Sequence, residues 1–125
     1  MVALRMIPNE ETYYRYIFYL RTHPLLRLGF INQQEITLEE HNNFMQKHEK
    51  NYYVCLYNGY PCGFVGVVDE DVRVCTDPAV QKKGVGQFML KELKKLYPNA
   101  VAKIKKTNTA SIALFKKSDF NFELI

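Results

Sequence analysis

The sequence lacks the marks of a membrane span, a disulfide scaffold or a repeat array. No apolar run in its 125 residues approaches the roughly 20 needed to cross a bilayer. Residues 1–7 carry no basic region, no long apolar stretch and no small-residue cleavage site, so they do not read as a secretory signal. The chain is therefore expected to act in the cytoplasm, away from membranes. Cysteine is scarce and odd in number. Cys55, Cys62 and Cys75 leave one thiol over in any disulfide scheme, and they show neither C-x-x-C spacing nor a histidine pair nearby. They read as small buried hydrophobes, and no metal site is expected. Repeats, low-complexity stretches and linkers are missing too, which leaves one domain over residues 1–125.

A hydrophobic content of 47% is ample for one core and argues against disorder. The net charge of +4 is unevenly spread. Residues 1–75 hold 7 basic and 9 acidic side chains, whereas residues 76–125 hold 10 and 4. A positive C-terminal half suits a phosphate-rich ligand, either a nucleotide cofactor or a nucleic acid. Its lysines (among them Lys91, Lys94, Lys103 and Lys116) come with no reading helix and no aromatic platform. A solvated basic face is the preferred reading, and no nucleic-acid partner is expected.

Pattern and turn chemistry give the element order. Residues 2–7 read as a strand. Asn9 reads as the cap of a helix that starts at Glu10 and Glu11 and runs to about Arg21. Thr37 with Glu40 is a capping box that opens a second helix to about Glu49. Asn58-Gly59 between two β-rich runs predicts a hairpin of residues 51–57 and 60–68. The acidic turn Asp69-Glu70-Asp71 leads into a strand from Val72 to Thr76. Val85, Met89, Leu93 and Leu96 mark a helix over 84–96, ended by Pro98-Asn99. A strand over 100–104, a helix over 108–117 and a strand over 120–124 follow. The order β-α-α-β-β-β-α-β-α-β implies an α/β (α+β) fold with a mixed sheet, antiparallel at first and parallel where the 84–96 helix crosses over.

The most informative segment runs from Val74 through Thr76, Pro78, Gln81, Lys82, Lys83, Gly84 and Val85 to Gly86. It reads as a strand, a turn, a loop with two glycines and a helix start. Glycines let the backbone turn tightly and approach a ligand. Amides of residues 82–86 at a helix N-terminus favour an anion, and the two lysines add charge. The third glycine of a dinucleotide fingerprint is missing, and no Gly-Lys-Ser/Thr follows as in a P-loop. A diphosphate ligand and a tight structural turn both fit.

Gln81-Lys82-Lys83-Gly84-Val85-Gly86 resembles the Q/R-x-x-G-x-G/A loop of GCN5-related N-acetyltransferases, the GNAT superfamily. The run from Asn108 through Ala110, Ile112, Leu114, Phe115 and Lys117 to Phe120 is similar to that superfamily's second signature, N-x-x-A-I-x-L-Y-x-K-x-G-F. The resemblance spans essentially the whole chain. It implies a GNAT fold with a splayed strand pair, acetyl-CoA as cofactor, and direct attack of an amine on the thioester. On that pattern the backbones of Val74 and Thr76 would bond the pantetheine amides. Gln81, Lys82, Lys83, Gly84, Val85 and Gly86 would cradle the pyrophosphate, with Asn108 and Phe115 at the pantetheine end. Asn108 reads equally well as a helix cap. Phe115 stands where the pattern has tyrosine, and Asp119 where it has glycine; Asp tolerates a left-handed backbone better than most residues. A homodimer that completes the last sheet edge is a further expectation.

Attack on a thioester needs a neutral amine, and alkylammonium groups titrate near 10, so a group or water must take a proton. Glu70, four residues before Val74, is the candidate carboxylate. His41 and His23 are alternatives. The stretch from Leu20 through Arg21, Thr22, His23 and Arg27 to Phe30, Asn32, Thr37 and His41 is similar to a GNAT branch that acetylates nucleotide-linked 4-amino sugars. That branch usually has Asn-Asp where Thr22-His23 stand and tryptophan at the place of Phe44. The likeness implies a small-molecule amine acceptor of that kind. Arg21 and Arg27 would pair with the diphosphate, and Tyr16 would stack on a base or sugar. A polyamine, amino-acid or protein amine acceptor, and a catalytically weak CoA-binding module, are the alternatives.

Overall fold

The computed structural model describes residues 3–27, 35–80 and 83–125. Its elements run β1 (Leu4–Pro8), α1 (Tyr14–Arg21), α2 (Pro24–Arg27), α3 (Leu38–Lys47), β2 (Tyr52–Tyr57), β3 (Tyr60–Val68), β4 (Asp71–Thr76), α4 (Val85–Leu96), β5 (Ala102–Ile104), α5 (Thr109–Lys117) and β6 (Phe122–Leu124). The order is the one that turn chemistry and periodicity predict, with the four-residue α2 added.

Local chemistry explains most boundaries. Asn58 and Gly59 have φ of 49° and 89°, the doubly left-handed turn that matches the twist of a hairpin. The Glu40 amide donates to the Thr37 hydroxyl at 3.1 Å and the Glu40 carboxylate accepts from the Thr37 amide at 3.1 Å. That completes the capping box at α3. Asn9 departs from expectation: it caps nothing. Its amide donates to the Tyr52 carbonyl at 3.0 Å and its Nδ2 reaches the Met45 sulfur at 3.5 Å. Asn9 thus ties the end of β1 to β2 and α3, and a 3-10 turn over Glu11–Tyr13 opens the first helix instead.

β1, β2, β3 and β4 form one antiparallel sheet in that order. β3 is buried along almost its whole length, because helices cover both faces. Alternation in the strands sends residues two ways. Phe64 and Val68 of β3 pack with Tyr14, Ile17 and Leu20 of α1 and Met45 of α3. Val65 and Val67 pack with Met89, Leu90 and Leu93 of α4.

The parallel part of the sheet is a separate pair. β5 pairs with β6, Ala102 opposite Phe122. β4 meets the β5 segment at one parallel bridge, Asp71 with Val101. Both bridge residues lie at the amino ends of their strands, and no ladder follows among the described residues. β4 and β5 therefore part towards their carboxyl ends and leave a wedge. α4 and α5, which follow those two strands, begin at the wide end.

Candidate active site

The wedge exposes one edge of β4. The Asp77 amide donates to the Cys62 carbonyl at 2.8 Å, and the β3–β4 register runs without a shift. In an antiparallel ladder every second residue bonds the partner strand. Cys75 and Arg73 thus also face β3, and the N–H and C=O groups of Val74 and Thr76 point into the wedge. These are the two backbones singled out from sequence.

At the wide end, Gly84 has φ +79° and precedes α4 with no side-chain cap. The Phe88 amide donates back to the Gly84 carbonyl at 3.0 Å. The amides of Val85, Gly86 and Gln87 come before that first turn closes, and they have no acceptor within the helix. An uncapped N-terminus beside an unpaired strand edge fits an anion followed by an extended, amide-bearing arm. Lys83 is exposed beside it, whereas Gln81 and Lys82 lie outside the described residues. Gly86 works differently from expectation. A Cβ there would lie 2.9 Å from the Leu114 side chain, so this glycine lets α4 pack against α5 and does not itself make room for a ligand.

Asn108 caps α5: its Oδ1 accepts from the Ser111 amide at 3.1 Å. Phe115 is 2% exposed and lies edge-on to Phe120 with centroids 5.6 Å apart. The reason is the helix end. The Phe120 amide donates to the Phe115 carbonyl at 3.1 Å, and the left-handed Asp119 donates to the Lys116 carbonyl at 3.2 Å. This is a Schellman motif, whose usual hydrophobic contact joins these two positions. Phe115 is thereby a core residue, and its assignment as a cofactor contact needs correction.

The acid–base candidates are placed differently from one another. Glu70 is exposed in the left-handed second position of the β3–β4 turn, with φ 64°, next to the bridge that closes the wedge. His41 is 0% exposed. Its Nδ1 lies 3.0 Å from an Arg21 Nη1 and its Nε2 2.7 Å from the Tyr14 carbonyl. Arginine only donates, so Nδ1 accepts and Nε2 carries the proton. Burial foremost lowers the His41 pKa to about 4; the Tyr14 carbonyl opposes this and the Arg21 charge adds to it. Such a sealed, doubly bonded ring positions Arg21 and is not a proton acceptor within reach of substrate. His23 stacks edge-on with Tyr19 and accepts from the Leu25 amide at 3.1 Å. The Tyr16 hydroxyl donates to Asp77 Oδ2 at 2.9 Å; burial and that carboxylate push its pKa far up. Tyr16 thus pins α1 to the start of the loop between β4 and α4. The side chain of Arg27, like Phe30 and Asn32, lies outside the described residues.

Arg73 and Tyr52, which the sequence did not single out, join Arg21 and Phe44 on the α1–α3 face of the sheet. Arg73 of β4 points to the α1–α3 face, opposite to Val72 and Val74. Its Nη1 donates to the Tyr52 hydroxyl at 3.2 Å, and its guanidinium lies 5.5 Å from the Phe44 ring centroid. Arg21 lies 5.3 Å from the same ring. The alternation of β4 was the available signal for Arg73. The buried Cys75 thiol is pushed up to about 12 by burial and then by Asp77. The described residues hold no cluster of metal-ligating groups, and none of their helices is long and apolar enough to cross a membrane.

Comparison with known proteins agrees with this geometry. The model of the acetyltransferase (GNAT) family matches residues 11–120. No curated protein is a significant match in sequence. A domain from Methanocaldococcus jannaschii superposes with a TM-score of 0.81 at 19% identity, covering 94% of this chain and 87% of the other. The yncA acetyltransferase of Salmonella typhimurium, solved with its cofactor acetyl-CoA, gives 0.78 at 21% identity, over 92% and 78%. Spermidine N-acetyltransferase from Vibrio cholerae, in complex with CoA and spermine, gives 0.79 at 14% identity, over 92% and 79%.

Proposed function

The chain belongs to the acetyltransferase (GNAT) family, whose cofactor is acetyl-CoA, and from that premise we propose that it acetylates a primary amine on a small molecule, with a nucleotide-linked amino sugar as the leading acceptor. The wedge between β4 and β5, with an uncapped helix N-terminus at its wide end, supports the acetyl-CoA part of this reading, and the sugar acceptor rests on the likeness of residues 20–41 to the amino-sugar branch. The cofactor supplies an acetyl thioester, activated towards an amine nitrogen. The chain's part is binding and orientation. Amides at Val85 and Gly86 take the diphosphate, with Lys83 adding charge. The backbones of Val74 and Thr76 take the amides of the extended arm. Lining the arm up along β4 fixes where the thioester lies relative to the α1–α3 face, and positioning of this kind supplies a large share of such a rate enhancement.

Glu70 is the carboxylate proposed to accept the amine proton, through water. It is the one titratable candidate that is both exposed and adjacent to β4. Phe115 brings no hydroxyl, so the proton for the departing thiolate would come from water or another group. Thiol release from acetyl-CoA in the presence of a panel of amines tests the reading. Turnover of nucleotide-linked amino sugars is expected, with loss of rate in Glu70→Gln. Turnover on peptides alone would reject the sugar acceptor. A folded chain that binds no CoA in calorimetry would reject the reading altogether.

A further inference from the structure

The α1–α3 face of the sheet gathers two cations around one aromatic ring and gives them only one weakly held anion. Arg21 and Arg73 come from α1 and β4, and both guanidiniums lie against Phe44, 5.3 and 5.5 Å from its centroid. Asp71 is 3.9 Å from the Arg73 Nε, at the edge of ion-pair distance. Among the described residues no carboxylate pairs with Arg21. Its side-chain hydrogen-bond partner is the neutral His41 ring. An excess of one positive charge remains. Charges drawn partly out of water normally find an opposite partner. Both groups are also held before any ligand arrives: Arg21 by His41 and Phe44, Arg73 by Tyr52 and Phe44. Preorganised, forked donors with spare N–H groups suit a planar or tetrahedral oxyanion.

We infer that Arg21 and Arg73 form an oxyanion seat that selects acceptors carrying a carboxylate or phosphate besides the amine. The inference rests on the acetyl-transfer reading and names the acceptor class for it. Arg73 is the chain neighbour of Val74, whose backbone faces the wedge, while its guanidinium lies over Phe44 on the α1–α3 face. The seat thus stands on the strand that borders the wedge, on the face that α1 and α3 cover. A polyamine, cationic at each nitrogen, is repelled by the same pair. An amino-acid carboxylate, a phosphomonoester and a nucleotide diphosphate share the chemistry that the seat reads.

The test follows thiol release from acetyl-CoA by the full chain, using acceptors matched with and without an oxyanion. The pairs are β-alanine and β-alaninamide, phosphoethanolamine and ethanolamine, and a nucleotide-linked amino sugar and the free sugar, with spermidine as the cationic control. The oxyanion member of a pair is expected to have a kcat/KM at least about tenfold higher, carried by KM, as one charge-assisted hydrogen bond provides. The pair with the largest ratio names the oxyanion. Arg73→Gln and Arg21→Gln should collapse the ratio, and Arg73→Lys should restore part of it. Melting temperatures check that each variant is folded. Equal kcat/KM within every pair, or spermidine as the best acceptor, overturns the seat. Calorimetry of phosphoethanolamine and β-alanine with CoA-loaded protein separates the two readings. Binding that Arg73→Gln abolishes, with no turnover of any amine, upholds the seat and rejects acetyl transfer. Absence of binding by either compound and of any preference in turnover rejects the seat.

Discussion

His41 shows how a titratable side chain is turned from chemistry to support. Its ring stays neutral because both nitrogens are engaged in the interior, with the pKa lowered to about 4 from an ordinary value near 6.5. The unfolded chain therefore binds a proton in the window between those values and the folded chain does not. Stability is full above about pH 6.5 and falls as the pH drops towards 4, by up to about 3 kcal/mol. Urea midpoints measured from pH 7 to pH 4.5 should show this loss, and His41→Gln should flatten it. Phe115 makes the same point for an apolar side chain. Tyrosine there adds a hydroxyl to a buried ring packed on Phe120 and Phe122, and a buried hydroxyl without a partner costs about 1–3 kcal/mol. Phe115→Tyr should lower the melting temperature and leave thiol release no faster. A faster variant would reopen the position as part of the site.

Among the elements, α4 and α5 begin at the wide end of the wedge, where the cofactor is proposed to bind, and their termini are tunable. Asp119 holds φ 54° at the end of α5, a conformation that costs a residue with a Cβ more than glycine. Its ion pair with Lys94 is 3.6 Å long and exposed, worth little. Asp119→Gly should therefore stabilise the fold by about 0.5–1 kcal/mol, read from chemical denaturation. Gly84 at the start of α4 is the opposite case. It also has positive φ, with open space where a Cβ would go, so a side chain meets strain and not a clash. Gly84→Val should tilt the first amides of α4 and weaken CoA binding about tenfold, a shift of 1.4 kcal/mol, and the strain of a branched side chain at positive φ should also lower the melting temperature. Both helices were readable from sequence through their spacing, their breakers and the Asn108 cap. The role of Gly86 was not, because Leu114 lies 28 positions away and meets it only when α4 packs on α5.

For the whole molecule, the defining feature is a sheet that stops being continuous. After the Asp71–Val101 bridge, β4 keeps an unpaired edge that a ligand backbone can join. CoA at about 100 times its Kd should stabilise the protein by about 2.7 kcal/mol. Hydrogen exchange should slow at residues 74–76 and 102–104 more than in β1 and β2. Slowing confined to the first turn of α4 would mean that the ligand grips the helix but leaves the wedge empty.

The sequence by itself determined the order of elements, both hairpin turns, the α3 capping box and the length of α4, because each depends on chemistry within a few residues. Its cofactor-loop motif also carried the family. The tertiary structure alone decided that the parallel strands stand as a separate pair, that His41 and Phe115 are sealed inside, and that residues 21, 44 and 73 meet at one ring. Those outcomes arise from packing between segments far apart in the chain. Periodicity tells which face a residue occupies, and not which distant side chain it will meet there.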